Sequence, residues 1–194
     1  MSTVRNIPTT VVIILALPFD ENARTVALTK DGTTMLDEIS DYLTWSHLVP
    51  DAACASFDVA AQRTAHLVLE RLNRKVRKMR SIAVLGEMPR KKERGGYMRG
   101  LVEIRHALSE TLLDAPKART ILMVGSNALR LEQIYRITGE MHIWDVPKIK
   151  PGDALCMHYM RMPGKGSFVD FIDIELIDRE IIAHLGSMLV AHPP

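Results

Sequence analysis

The chain has 194 residues, with 25 Lys and Arg against 23 Asp and Glu, a net charge of +2, 47% hydrophobic residues and 25% charged ones. These values exclude a disordered or fibrous chain and suit one globular domain over residues 1–194. The longest apolar run, residues 11–17, is far below the roughly 20 residues of a membrane-spanning helix, so no membrane partner is expected. No basic stretch leading into an apolar one opens the sequence, so no secretory signal is expected. Two cysteines, Cys54 and Cys156, make neither a disulfide framework nor a four-thiolate metal site. The expectation is a reducing, cytoplasmic location, with no metal or other cofactor.

Residues 9–17 (TTVVIILAL) are β-branched, continuous and stopped by Pro18, the pattern of a strand buried on both faces. Residues 32–43 place Met35, Leu36, Ile39 and Leu43 at helical spacing. Residues 51–57 are ambiguous, and residues 59–79 read as a long helix with Ala65, Leu69, Leu72, Val76 and Met79 on one stripe. Residues 81–85 (SIAVL) predict a second interior strand, 90–100 (RKKERGGYMRG) a charged loop, and 101–113 a helix. Residues 120–124 (TILMV) predict a third buried strand, followed by a turn at Gly125 and a helix over 127–137. A fourth strand is expected over 154–158, then a Gly- and Pro-rich loop over 159–167 (YMRMPGKGS), and a last helix over 181–190. Residues 168–176 alternate apolar and acidic side chains, which fits either an edge strand or the lead-in to that helix. Strands alternating with helices imply a three-layer α/β/α domain around a central, mainly parallel four-stranded sheet.

Charge is unevenly spread. Arg71, Arg74, Lys75, Arg77, Lys78 and Arg80 lie close together, followed by Arg90, Lys91, Lys92, Arg94 and Arg99. Such a sector either attracts a polyanion or simply solvates long helices, and the sequence favours neither.

In sheets of this kind ligands bind beyond the carboxyl ends of the strands. The segment GSNAL at residues 125–129 opens a helix with a glycine turn, which could dock a phosphate, although a plain turn capped by Ser126 or Asn127 is the favoured reading. No phosphate-binding loop of the nucleoside triphosphatases and no dinucleotide fingerprint is present. His158, expected at the end of a buried strand, is the most suggestive single residue, placed to donate to an anionic oxygen; a backbone-satisfied histidine is the rival reading.

The order of these segments resembles the uracil-DNA glycosylase superfamily, nearest its family IV-like and family V-like bacterial members. The resemblance rests on Leu15-Ala16-Leu17-Pro18-Phe19 with Lys30-Asp31-Gly32 and its helix, on SIAVLGEMPRKKERGG at 81–96, on TILMVGSNA at 120–128, and on His158 in ALCMHYMRMPG. It covers roughly residues 10–165, with 51–80 as a helical insertion that offers a protein interface. The departures from the family pattern are specific. Ala16 stands where an acid or amide should orient water, the base-stacking aromatic is missing, and the cysteines of the iron–sulfur cluster are absent. If catalysis persists, the resemblance assigns it to Asp20 or Glu21 with His158.

What the resemblance implies is a grip on DNA. Arg90, Lys91, Lys92 and Arg94 would contact phosphates on the sheet rim, with Ser126 and Asn127 beside them. Met160, Arg161, Met162 and Lys165 would supply a wedge and further phosphate contacts. The expected function is therefore a DNA-binding protein with a glycosylase-like fold and lost or altered base excision, serving replication, repair or modified-base recognition. Two alternatives stay open: an active glycosylase for an unusual base, and a small-molecule nucleotide enzyme or protein-interaction scaffold.

Overall fold

The computed structural model describes residues 7–20, 27–75, 79–86, 96–138, 147–162 and 168–191. In chain order the elements are β1 (Ile7–Leu15), α1 (Lys30–Trp45), β2 (Ala52–Ala55), α2 (Val59–Arg71), β3 (Arg80–Ser81), a 3₁₀ turn (Ala83–Leu85) and α3 (Gly96–Asp114). Then follow β4 (Thr120–Gly125), α4 (Ala128–Thr138), β5 (Ala154–Met162), β6 (Phe168–Ile177) and α5 (Arg179–Ala191). The strands form one six-stranded sheet in the order β3-β2-β4-β1-β5-β6.

Polarity changes at β1. The pairs β3–β2, β2–β4 and β4–β1 are parallel, whereas β1–β5 and β5–β6 are antiparallel. The α/β class is as expected, but the sheet is mixed and six-stranded rather than mainly parallel and four-stranded. The missing information is direction. A strand buried on both faces reads as the same apolar run whichever way its neighbour points.

β1 explains the layering. Val11, Ile13 and Leu15 face one side and Val12 and Ile14 the other, all at most 4% exposed. The first set packs with Ile104, Leu108 and Leu112 of α3 and with Leu131 and Ile134 of α4. The second packs with Met35, Leu36, Ile39 and Leu43 of α1, Ala61, Ala65, Val68 and Leu69 of α2, and Ile182 of α5. The result is a sheet between two helical layers.

Residues 51–80, expected as a helical insertion, supply β2 to the interior of the sheet and α2 to one layer. Residues 81–85, expected as an interior strand, end a two-residue edge strand and continue as the 3₁₀ turn. α2 stops at Arg71 rather than near residue 79 because Asn73 takes a left-handed conformation (φ 51°). There Arg74 N donates to Leu69 O at 2.8 Å and Asn73 N to Glu70 O at 2.9 Å, a Schellman cap. His47 (φ 57°) closes α1 in the same way. Among the described residues no helix is long and apolar enough to cross a membrane.

Candidate functional site

The parallel strands β2, β4 and β1 end at one edge of the sheet, where α2 and α4 begin. Ser56, just past β2, is fixed by its amide, which donates to Val124 O at 2.8 Å. Ser126, just past β4, donates its amide to Leu85 O at 3.0 Å, so the 3₁₀ turn closes the same edge. Both hydroxyls reach the carboxylate of Asp58. Ser56 Oγ donates to Asp58 Oδ2 at 3.0 Å and Ser126 Oγ makes a short hydrogen bond to the same oxygen, with the two Oγ atoms 3.3 Å apart. Gly86 adjoins the cluster closely, since a β-carbon there would lie 3.1 Å from Asp58 Oδ2.

Asp58 is also the N-cap residue of α2, yet its side chain makes no capping bond. Its carboxylate is turned to the serines, leaving the first-turn amides of α2 without a side-chain acceptor. At α4 the cap is conventional: Asn127 Oδ1 accepts from Leu129 N at 3.0 Å. Beyond β1, Leu17 is 2% exposed and its amide donates to the buried Thr64 Oγ1 at 3.0 Å, which ties the end of β1 to α2. The first-turn amides of α2 at this edge suit an oxyanion, whereas both serine hydroxyls are already given to Asp58.

Further along the same edge lies an open groove of about 880 Å3 lined by Pro18, Asp31, Lys148, Lys150, Asp153 and Arg179, among others. Arg179 is committed there to Glu38 at 2.8 Å and Asp31 at 2.9 Å, and these carboxylates hold its pKa above the ordinary value. Asp153 is equally occupied, by the amides of Lys150 at 2.7 Å and Arg179 at 2.9 Å. Among the described residues no group of three His, Cys, Asp or Glu side chains could hold a metal ion.

His158 is not at this edge. It sits within β5 opposite Thr10, near the start of β1, and its Nδ1 lies 3.1 Å from Thr10 Oγ1. Eight residues, roughly 25 Å of strand, separate Thr10 from Pro18. Because β5 runs antiparallel to β1, the residues that follow His158 continue away from the site. Met160 pairs with Pro8 and Arg161 with Ile7, while Met162 pairs with Phe168. Arg161 is 5% exposed, and burial lowers its pKa; its Nη1 donates to Ala115 O just past the end of α3. It caps a helix rather than lining a binding loop.

Of the expected site residues, the structure brings Ser126 and Asn127 to the edge. Asp20 is exposed beyond β1, its amide donating to Ala27 O at 2.8 Å. Glu21, Arg90, Lys91, Lys92, Arg94 and Lys165 lie outside the described residues. Part of the expected basic sector is neutralised: Arg71 pairs with Asp37, Arg74 with Asp51, and Arg80 with Glu110 and Asp114. Ser56 and Asp58 were not expected. Their signal is the S-x-D spacing between a four-residue apolar strand and a helix, in a stretch too short for periodicity to read.

No protein-family model matches the chain, and no curated protein does. Solved structures do. A phosphoglycerate mutase from Bacillus anthracis str. Sterne superposes with a TM-score of 0.62 at 12% identity, over 94% of this chain and 98% of that one. The chain has the fold of this mutase. The protein histidine phosphatase SixA, complexed with tungstate, matches with a TM-score of 0.56 at 11% identity, over 88% of this chain and 97% of that one. A mycobacterial glucosyl-3-phosphoglycerate phosphatase, complexed with VO3, gives 0.56 at 10% identity, over 85% and 98%. These likenesses overturn the resemblance to uracil-DNA glycosylases and, with it, the expected DNA partner, the glycosylase alternative and the role in replication or repair. The segment order that suggested a glycosylase is shared by many α/β domains, and the antiparallel β5 removes the histidine on which the resemblance depended.

Proposed function

We propose that this chain binds a phosphorylated small molecule at the strand-end edge formed by Ser56, Asp58 and Ser126, without passing the phosphoryl group through an imidazole. The observation that carries the reading is the uncapped first turn of α2, whose amides open beside two serine hydroxyls. Its structural neighbours support the ligand class, since two of them hold the oxyanions tungstate and VO3. Phosphoryl transfer by covalent catalysis needs an activated nucleophile and cations on the equatorial oxygens. At this edge stand Ala16, Leu17 and Pro18 after β1 and Ser126 and Asn127 after β4, and His158 lies toward the opposite end of β1.

Calorimetric titration with inorganic phosphate, tungstate and small phosphate monoesters tests this reading, beside an assay for phosphate release from the same esters. Saturable binding lost in Ser126→Asp, with no release, is the expected result. No saturable binding to any of them overturns it.

One observation favours a second reading. The hydrogen bond from Ser126 Oγ to Asp58 is the contact a carboxylate base would make with a serine nucleophile. Slow phosphate release that disappears in Ser126→Ala would establish that reading instead. The proposal takes residues 1–194 as one domain in a reducing cytoplasm, supported by the free, buried thiols of Cys54 and Cys156.

A further inference from the structure

A cavity of about 440 Å3 opens between β3, the 3₁₀ turn and α3, lined by Phe57, Ile82, Ala83, Val102 and Ala107. Its volume falls within the roughly 300–1,000 Å3 of small-molecule pockets. Two of its lining segments continue along the chain into the oxyanion edge. Phe57 stands in the chain between Ser56 and Asp58, and the turn that holds Ala83 ends at Leu85, whose carbonyl receives the Ser126 amide at 3.0 Å.

The cavity leaves large apolar surfaces in water, with Phe57 64% and Val102 65% exposed. Arg80, Ser81, Glu103, His106 and Glu110 also line it, and three of these groups are matched. Arg80 pairs with Glu110 at 2.7 Å and also with Asp114, and His106 Nδ1 lies 3.6 Å from Glu110. What remains for a ligand is mainly hydrocarbon, with Ser81 and Glu103 beside it. An apolar group beside a phosphate would gain by covering Phe57 and Val102, whereas the hydroxyls of a sugar or glycerol would lose their water there without replacement.

We infer that this cavity receives an apolar, ring-sized group on the phosphorylated ligand, so that the ligand class is a phosphate monoester of an aromatic or other apolar alcohol. The inference rests on the oxyanion reading of Ser56, Asp58 and Ser126, and adds to it the identity of the group attached to the phosphate.

Calorimetry on the full chain with 1-naphthyl phosphate, glycerol 3-phosphate and inorganic phosphate tests it, repeated with the double variant Phe57→Ser, Val102→Ser. Both positions are exposed, so the variant retains the fold. Naphthyl phosphate is expected to bind at least about tenfold more tightly than glycerol 3-phosphate, from the apolar area it covers. In the double variant that advantage falls to less than about threefold. Equal affinity for all three ligands, or an advantage unchanged in the variant, overturns the apolar subsite while the oxyanion reading stands. If none of the three binds, both fall.

Discussion

Ser126 donates a hydrogen bond to the carboxylate of Asp58, joining the end of β4 to the start of α2. The contact diverts the N-cap residue of α2 from its own helix. It also leaves a negative charge beside amides that suit an anion, so the site is electrostatically opposed to the ligand proposed for it.

Removing that charge separates the two effects. Asp58→Asn keeps the shape and a hydrogen-bonding oxygen, and is expected to raise phosphate affinity roughly five- to tenfold at low ionic strength. The gain should shrink as salt is added. Calorimetry at two salt concentrations measures it, and unchanged affinity would place the bound phosphate away from Asp58.

Thr64 is fully buried and its hydroxyl accepts from the Leu17 amide at 3.0 Å. Thr64→Val fills the same space and strands that amide. The expected loss is about 1–3 kcal/mol in urea unfolding, with the slope unchanged. A loss within error would mean that water or a shifted backbone satisfies Leu17 N.

Gly32 lies so close to Pro18 that a β-carbon would fall on the Pro18 carbonyl oxygen. Its amide is bonded to the N-cap hydroxyl of Thr29 at 3.0 Å, so the first turn of α1 has little room to retreat. Gly32→Ala is expected to cost roughly 1–3 kcal/mol by overpacking. Thr29→Ala, which removes only the cap, should cost about 1 kcal/mol. Thermal unfolding of the pair ranks the two.

Burial pushes the Cys156 thiol from its usual value of 9.0 up to about 11, the side-chain hydrogen bond with Tyr42 opposing the shift, and pushes Cys54 to about 12. In the unfolded chain both thiols ionise near their usual value. Stability is therefore complete below about pH 9 and falls as pH rises toward the folded values, because only the unfolded state gains the favourable ionisation. Unfolding followed between pH 8 and 11 should show a shallower decline in Cys156→Ala than in the parent chain. Parallel curves would refute the assignment.

Arg161 is a buried cation whose Nε and Nη2 have no hydrogen-bond partner among the described residues. Its Nη1 donates to Ala115 O, which caps α3. Arg161→Met retains much of the packing volume and removes a desolvated charge, so the melting temperature is expected to hold or rise slightly. A fall of several degrees would show that the cap outweighs the burial.

Much of this architecture was legible in local patterns. The apolar run of β1 and the 3.6-residue stripe of α1 appear where their side chains are sorted between core and solvent. What could not be read was strand direction, which depends on partners distant in the chain. Taking β5 as parallel to β1 carries His158 to the ligand edge; its antiparallel pairing leaves it near Thr10. The boundary of α2 was missed for a local reason, since an asparagine in a left-handed cap leaves little trace in a stripe of apolar residues. Ser126 was found because it follows a long strand. Ser56 and Asp58 were not, because a four-residue strand carries too few side chains to announce itself.

The seam at β1 also bears on how the chain reaches this shape. Thr10 pairs with Thr120 on one side and with His158 on the other. The most apolar segment of the sheet thus waits for partners more than a hundred residues downstream, beyond three helices and two short strands in the nearer case. Loop closure over such spans is slow, and until it happens an aggregation-prone edge is open on both margins. A ribosome making this protein leaves that edge unpaired until β4 emerges.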